Sequence, residues 1–226
     1  MHLPSAIRGL TRVGLALTVL GLLVGLCFVA GPAAGAAGNA ASSCRFHGAA
    51  TAVIVNGHRT TTVRVCTDKV GVHRLRAAAA RNLPNRGRIA SASSRMVTLH
   101  RSRPWRITSQ THTGRVDLFG AIRARAIMAR STATTRRQNQ LVGRTVLTDV
   151  RIQGKSMPTH PKRNQTIALP GIGKVVLNHQ TRSRSNGRLT VSVTAMRVIV
   201  GKHNSLHLPS GVIVLGQTMA SVAQHG

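Results

Sequence analysis

Gly171-Ile-Gly-Lys-Val-Val-Leu-Asn-His-Gln180 leads through a polar stretch to Asn186-Gly187. The chain then returns as Arg188-Leu-Thr-Val-Ser-Val-Thr-Ala-Met-Arg-Val-Ile-Val200. Two runs rich in β-branched residues around an Asn-Gly pair form a strong hairpin signal, because both turn residues must tolerate positive φ. A two-residue loop sets Val175 opposite Val198 and Leu177 opposite Met196. Towards the turn the apolar parity changes. Leu189, Val191, Val193 and Ala195 fall on the other face, opposite Arg184, Arg182, Gln180 and Asn178. A one-residue phase change between Ala195 and Met196 predicts a bulge, or a strand that passes from one sheet to another. The reading is a long hairpin with an apolar base and a basic tip at Arg182, Arg184 and Arg188.

Outward from this hairpin the period-2 pattern recurs. Ile122, Ala124, Ala126 and Met128 alternate with Arg123, Arg125 and Ile127, and Val146, Thr148, Val150 and Ile152 alternate with Leu147, Asp149 and Arg151. Both read as half-buried strands presenting arginine on the open face. Phe46 to Val55 and Thr60 to Cys66 flank a second Asn-Gly pair at Asn56-Gly57. Ile89 to Leu99, Arg106 to Thr113 and Val212 to Gln217 add further strands. Val70 to Ala80 is ambiguous between a helix, from its alanine run, and a strand, from its Val-x-His-x-Leu alternation. Asn82 to Gly87, Arg101 to Trp105 and Gly154 to Asn164 read as turns or connections. Asn164-Gln-Thr166 fits a glycosylation sequon, relevant only in a eukaryotic secretory host. The expected fold is all-β, an antiparallel sandwich or barrel-like domain over residues 41–226.

Residues 1–40 read as an N-terminal signal peptide helix. Arg8 and Arg12 precede the apolar run Val13 to Ala30, and Ala34-Gly-Ala36 or Gly38-Asn-Ala40 offers a small-residue cleavage site. The run also approaches the length of a spanning helix, so an uncleaved anchor is the rival reading. Past this leader two cysteines remain, Cys44 and Cys66, and an even count in an exported chain favours a disulfide. A two-residue loop at Asn56-Gly57 places His47 opposite Cys66. A bulge or short bend must therefore bring Cys44 to its partner.

Lysine and arginine total 32 against three acidic residues, Asp68, Asp117 and Asp149, and 27 of the 32 are arginine. A net charge of +29 cannot be neutralised internally, so the surplus is solvated or matched by external anions. With 42% hydrophobic residues in alternating runs, the composition is not that of a disordered chain. Glycoside hydrolysis needs two carboxyl groups flanking one bond, and three aspartates with no glutamate nearly close that route. No Gly-x-Ser-x-Gly elbow is present. His203 and His207 would share a face only on a helix, which Pro209 and the flanking strands oppose. No catalytic residue, metal site or cofactor is therefore expected. Asp149 and Asp117 read as local partners of Arg151 and Arg115, two residues away. Trp105, beside Arg103 and Arg106, is read as a core-edge residue rather than a stacking platform for bases.

From Gly114 onward four stretches resemble the choice-of-anchor P family of bacterial surface proteins. They are Gly120-Ala-Ile-Arg-Ala-Arg-Ala126, Leu141 to Gly154, Ile167 to Gln180 and Thr194-Ala-Met-Arg-Val-Ile-Val200. The resemblance implies an exported, β-rich, envelope-associated domain and carries no catalytic residues. The chain departs from the pattern in its extreme basicity, and Leu208-Pro-Ser-Gly211 is not a sortase motif. The combined expectation is a secreted or cell-surface protein, held to anionic cell-wall polymer or anionic lipid head groups. Arg123, Arg125, Arg151, Arg182, Arg184 and Arg188 are the expected contacts. The second reading is a secreted module for extracellular DNA or another anionic polymer, binding nucleic acid non-specifically.

Overall fold

The computed structural model describes residues 44–78, 81–83, 87–99, 104–136 and 140–224. The expected leader and most of the basic turn before Trp105 lie outside the described residues. Those residues form strands and no helix. The chain opens with β1 (Phe46–Val55) and β2 (His58–Thr67), joined through Asn56 and Gly57 at φ 47° and 82°. There follow β3 (Gly71–Ala78), β4 (Arg81–Leu83), β5 (Gly87–Ile89), β6 (Ala92–Leu99), β7 (Arg106–Thr113) and β8 (Val116–Leu118). Next come β9 (Ile122–Ala124), β10 (Ala126–Thr134), β11 (Leu141–Thr148), β12 (Arg151–Ile152) and β13 (Lys155–Ser156). β14 (Gln165–Leu169), β15 (Gly173–Ser185), β16 (Arg188–Val200) and β17 (Gly211–Ala223) complete the domain. The ambiguous stretch before Ala80 is strand, because β3 pairs along β6. The last strand runs six residues beyond the expected Gln217, since pairing to both β16 and β1 satisfies its backbone.

The strands form an antiparallel sandwich. One layer has the order β14-β15-β16-β17-β1-β2. The other is a five-stranded sheet, β11-β10-β7-β6-β3, with a short sheet, β13-β12-β9-β8-β5-β4. Strand by strand the short sheet is the chain's continuation of the five-stranded one: β12 follows β11, β9 precedes β10, β8 follows β7, and β5 precedes β6. Backbone bonds cross this line, from Ala90 N–H to Arg115 C=O at 2.8 Å, Gly114 to Ser91 at 2.9 Å, and Arg125 to Thr148 at 3.0 Å.

At the line the buried parity resets, which corrects the continuous alternation expected from sequence. Ile122 and Ala124 face inward before it, but Ile127 and Ala129 after it, each buried. Leu147 is 1% exposed where an outward position was expected, and Val146 and Met128 are only half-buried. The extra residues at Arg125 and at Asp149, the latter at φ 48°, are the cause. A period-2 count carried through a bulge inverts every side chain beyond it.

The first layer breaks in the same way. The expected phase change after Ala195 is present, and it belongs to a line running through Asn178 (φ 52°), Ala195, Gly216 (φ 69°) and Ala52. Thr113 Oγ1 donates to Ala52 C=O at 3.2 Å across the layers, so the two break lines face each other. A side chain at Gly216 would press on Thr111 Oγ1 at 3.1 Å and on the Ala195 and Ala129 methyls. The hairpin registers fall where the Asn-Gly turns put them, Val175 against Val198, Leu177 against Met196 and Arg182 against Val191. Val175, Leu177, Met196 and Val198 are wholly buried in a core shared with Phe46, Leu118, Ile122 and Ile152.

Where β15 passes out of that core, polar side chains take over. Gln180 Nε2 donates to Asn178 Oδ1 at 2.7 Å and to Gly143 C=O on β11 at 3.2 Å, and Asn178 Nδ2 donates to Pro161 C=O at 2.9 Å. Both side chains are buried, and these bonds meet the need of a buried amide for partners. Asn164, the sequon residue, accepts from the Gln180 N–H at 3.1 Å.

Cys44 and Cys66 form the expected disulfide, with Cα atoms 5.5 Å apart. His47 is the register partner of Cys66, and a bend at Arg45 carries Cys44 across to it.

Candidate polyanion-binding surface

Register, not sequence proximity, assembles the charged surface. On the five-stranded sheet, Arg74, Arg95, Gln110, Arg130 and Arg144 are successive cross-strand partners on β3, β6, β7, β10 and β11. Arg95, Arg130 and Arg144 are exposed and Gln110 is half-buried. Neighbouring strands lie about 4.8 Å apart, so the row spans roughly 19 Å with a basic position on four of its five strands. No aspartate or glutamate occurs in these five strands. On the short sheet a second row runs Asn82, Arg88, Asp117, Arg123, Arg151 and Ser156. Arg88, Arg123 and Arg151 are exposed.

Arg130 opposite Arg144 and Arg123 opposite Arg151 are like charges in direct cross-strand register. Such pairs oppose folding. They are tolerable where water or an external anion reaches both guanidinium groups.

The expected contact residues separate into three places. Arg123 and Arg151 are brought side by side, and Arg125 lies two residues along from Arg123 at the break line, where it too is exposed. Arg182 and Arg184 are exposed at the far end of β15, opposite Val191 and Leu189 and hence on the core-facing side of that sheet. Arg188 projects from the opposite face, because its register partner is Ser185. The basic tip is therefore split between two faces. The expected Asp–Arg pairings are also corrected. Asp117 Oδ2 meets Arg123 Nε at 3.5 Å across the strands, and Asp149 Oδ2 lies 3.8 Å from Arg125 Nη1. Cross-strand neighbours approach more closely than residues two apart on one strand, which are separated by about 6.8 Å. Asp68 instead accepts the Arg45 N–H at 2.6 Å.

Arg188 is partly structural. Its Nε donates to Ser221 Oγ at 3.2 Å and its Nη1 to Cys44 C=O at 2.9 Å, tying β16 to β17 and to the disulfide. Burial lowers its pKa from the usual value. Beside it, burial first, then the Arg188 and Arg64 guanidinium groups, hold the His47 imidazole below its ordinary 6.5. The unfolded chain then takes up a proton as pH falls through about 6.5 that the folded chain binds less readily, so folding weakens on acidification. The melting temperature is expected to fall from pH 7.5 to pH 5, and to fall less in His47→Gln. Parallel profiles for the two proteins would remove His47 from this role.

Among the described residues no cluster of three His, Cys, Asp or Glu side chains is placed to hold a metal ion. A cavity of about 290 Å³ lies beside Trp105, lined also by Pro104, Thr135, Arg136 and Gln224. Trp105 itself is buried at 4% exposure, with the Arg45 guanidinium 4.0 Å above its ring. One face of the indole is thus covered by a cation of the chain itself, at a distance typical of a cation–π contact.

No family model, curated protein or solved structure matches this chain.

The arginines of the five-stranded sheet were missed in the sequence. Arg95 lies within Ile89 to Leu99, where no regular alternation marks it, Arg130 lies past a parity reset, and Arg144 precedes the alternating run that begins at Val146. Their signal was an arginine at an outward position on each strand, which only the pairing register converts into a row.

Proposed function

We propose that the chain is an exported, non-catalytic cell-envelope protein held to an anionic surface by the arginine rows of its second layer. The observation that carries this reading is the alignment of arginine with arginine across paired strands. The five-stranded sheet, which places like charges in register and holds no carboxylate in its strands, is matched to an anion from outside. Arg123 and Arg151 add charge on the short sheet, where Asp117 already meets Arg123 at 3.5 Å, while Arg182 and Arg184 add charge at a separate point. The apolar leader supports export, and the Cys44–Cys66 disulfide suits an oxidising compartment. The likeness to choice-of-anchor P proteins enters only as a further reason to look at the envelope. A secreted module for extracellular DNA or another anionic polymer would use the same rows.

Fractionation separates the two. The protein is expected on washed cells, and to be released by about 0.5–1 M salt as exposed charges are screened. Full recovery in the medium at low salt would overturn envelope retention and favour the secreted module.

A further inference from the structure

We infer that the outer face of the five-stranded sheet docks on an anionic lipid bilayer, its arginine row at the headgroup phosphates and a neighbouring apolar row in the headgroup–acyl boundary. This rests on the polyanion-binding reading above and names its partner. Two residues along each strand from the arginines, Val72, Val97, Thr108, Thr132 and Val142 are successive cross-strand partners. Every member is β-branched. Val72 is 51% exposed and Val142 42%, and Leu99, one row further on the same face, is 50% exposed. Isolated exposed apolar residues are ordinary, but Val72 and Val142, at the two edges of the row with buried Thr132 between them, and Leu99 share one face with the cationic row.

The two polar members are already engaged with each other, Thr108 Oγ1 and Thr132 Oγ1 lying 3.1 Å apart. The row thus makes little further demand for polar partners. The two rows are about 6.8 Å apart along the strands, within the depth of the headgroup region that interfacial proteins occupy. A soluble polyanion would engage the arginines and gain nothing from Val72, Leu99 and Val142. An anionic bilayer engages both rows, through surface potential and through burial of apolar area. The row on the short sheet has no such neighbour, since its strands are two or three residues long and each presents a single outward position. That row is suited to polymer alone.

The test is flotation of the disulfide-bonded protein with phosphatidylcholine vesicles, with and without phosphatidylglycerol, alongside titration with soluble polyphosphate. The parent is expected to float only with the anionic vesicles. Val72→Ser/Leu99→Ser/Val142→Ser is expected to lose about tenfold in vesicle affinity while binding polyphosphate as the parent does. Equal vesicle binding by parent and variant would overturn the inference. Parent binding to polyphosphate but not to vesicles would also overturn it, and would leave the polyanion reading standing. Binding to neither ligand would end both. A second variant, Leu99→Trp, checks the geometry without removing apolar surface. Its fluorescence is expected to be quenched by brominated lipid in anionic vesicles beyond any change in the parent, whose Trp105 is buried. Absence of added quenching would place the face away from the membrane.

Discussion

Arg95→Ser/Arg130→Ser/Arg144→Ser is expected to bind a DNA duplex, used as a soluble polyanion of defined charge spacing, about 500-fold more weakly than the parent at 0.1 M salt. Each phosphate neutralised by a basic side chain contributes about 0.9 to the slope of log affinity against log salt. Three arginines removed from one row should therefore flatten that slope by about 2.7, which between 1 M and 0.1 M salt amounts to the stated loss. The three side chains are exposed and in register, so one polymer can meet them together. The same substitutions relieve the opposition of Arg130 to Arg144. The melting temperature should accordingly hold or rise. That combination, lost binding with undiminished stability, is what marks arginines kept for a partner rather than for the fold. An unchanged salt slope would refute the role of this row. A falling melting temperature with binding retained would make the row structural.

Removing the disulfide is the largest effect expected on stability. Cys44→Ser/Cys66→Ser is expected to cost about 3 kcal/mol, from the chain entropy returned to the unfolded state when a loop of this size is opened. For a domain of this length that lowers the melting temperature by about 6–12 °C. The bridge spans 22 residues and pins the start of β1 to the end of β2. The anchored segment includes Phe46, which is wholly buried, and the Cys44 carbonyl that accepts from Arg188. Mass measurement after alkylation, with and without reductant, checks the bridge itself. Two free thiols in the native protein would refute it, and an unchanged melting temperature in the double variant would show that it adds nothing to stability.

How far the sequence could be read depended on the range of each interaction. The Asn186-Gly187 and Asn56-Gly57 turns are local devices, and a two-residue loop fixes every pairing in its hairpin by arithmetic. The partners of Val175, Leu177, Arg182 and Cys66 were therefore readable, and so was the disulfide. The phase change after Ala195 was readable for the same reason, since both strands of that hairpin were known. The corresponding resets at Arg125 and Asp149 were not. Nothing near them in the chain marks a bulge, and the period-2 pattern of the sequence runs on through both.

By itself, the sequence determined that this protein is a β domain with an unbalanced positive charge and one bridge between neighbouring strands. These follow from side-chain period, turn chemistry and counting. Only the tertiary structure decided which arginines stand together. Arg95, Arg130 and Arg144 share a row because β6, β7, β10 and β11 pair in one register, and Arg188 parts from Arg182 and Arg184 because its parity turns it to the other face. The physical reason is that charge is additive along a chain, whereas a binding surface depends on distances of a few ångströms between residues far apart in sequence.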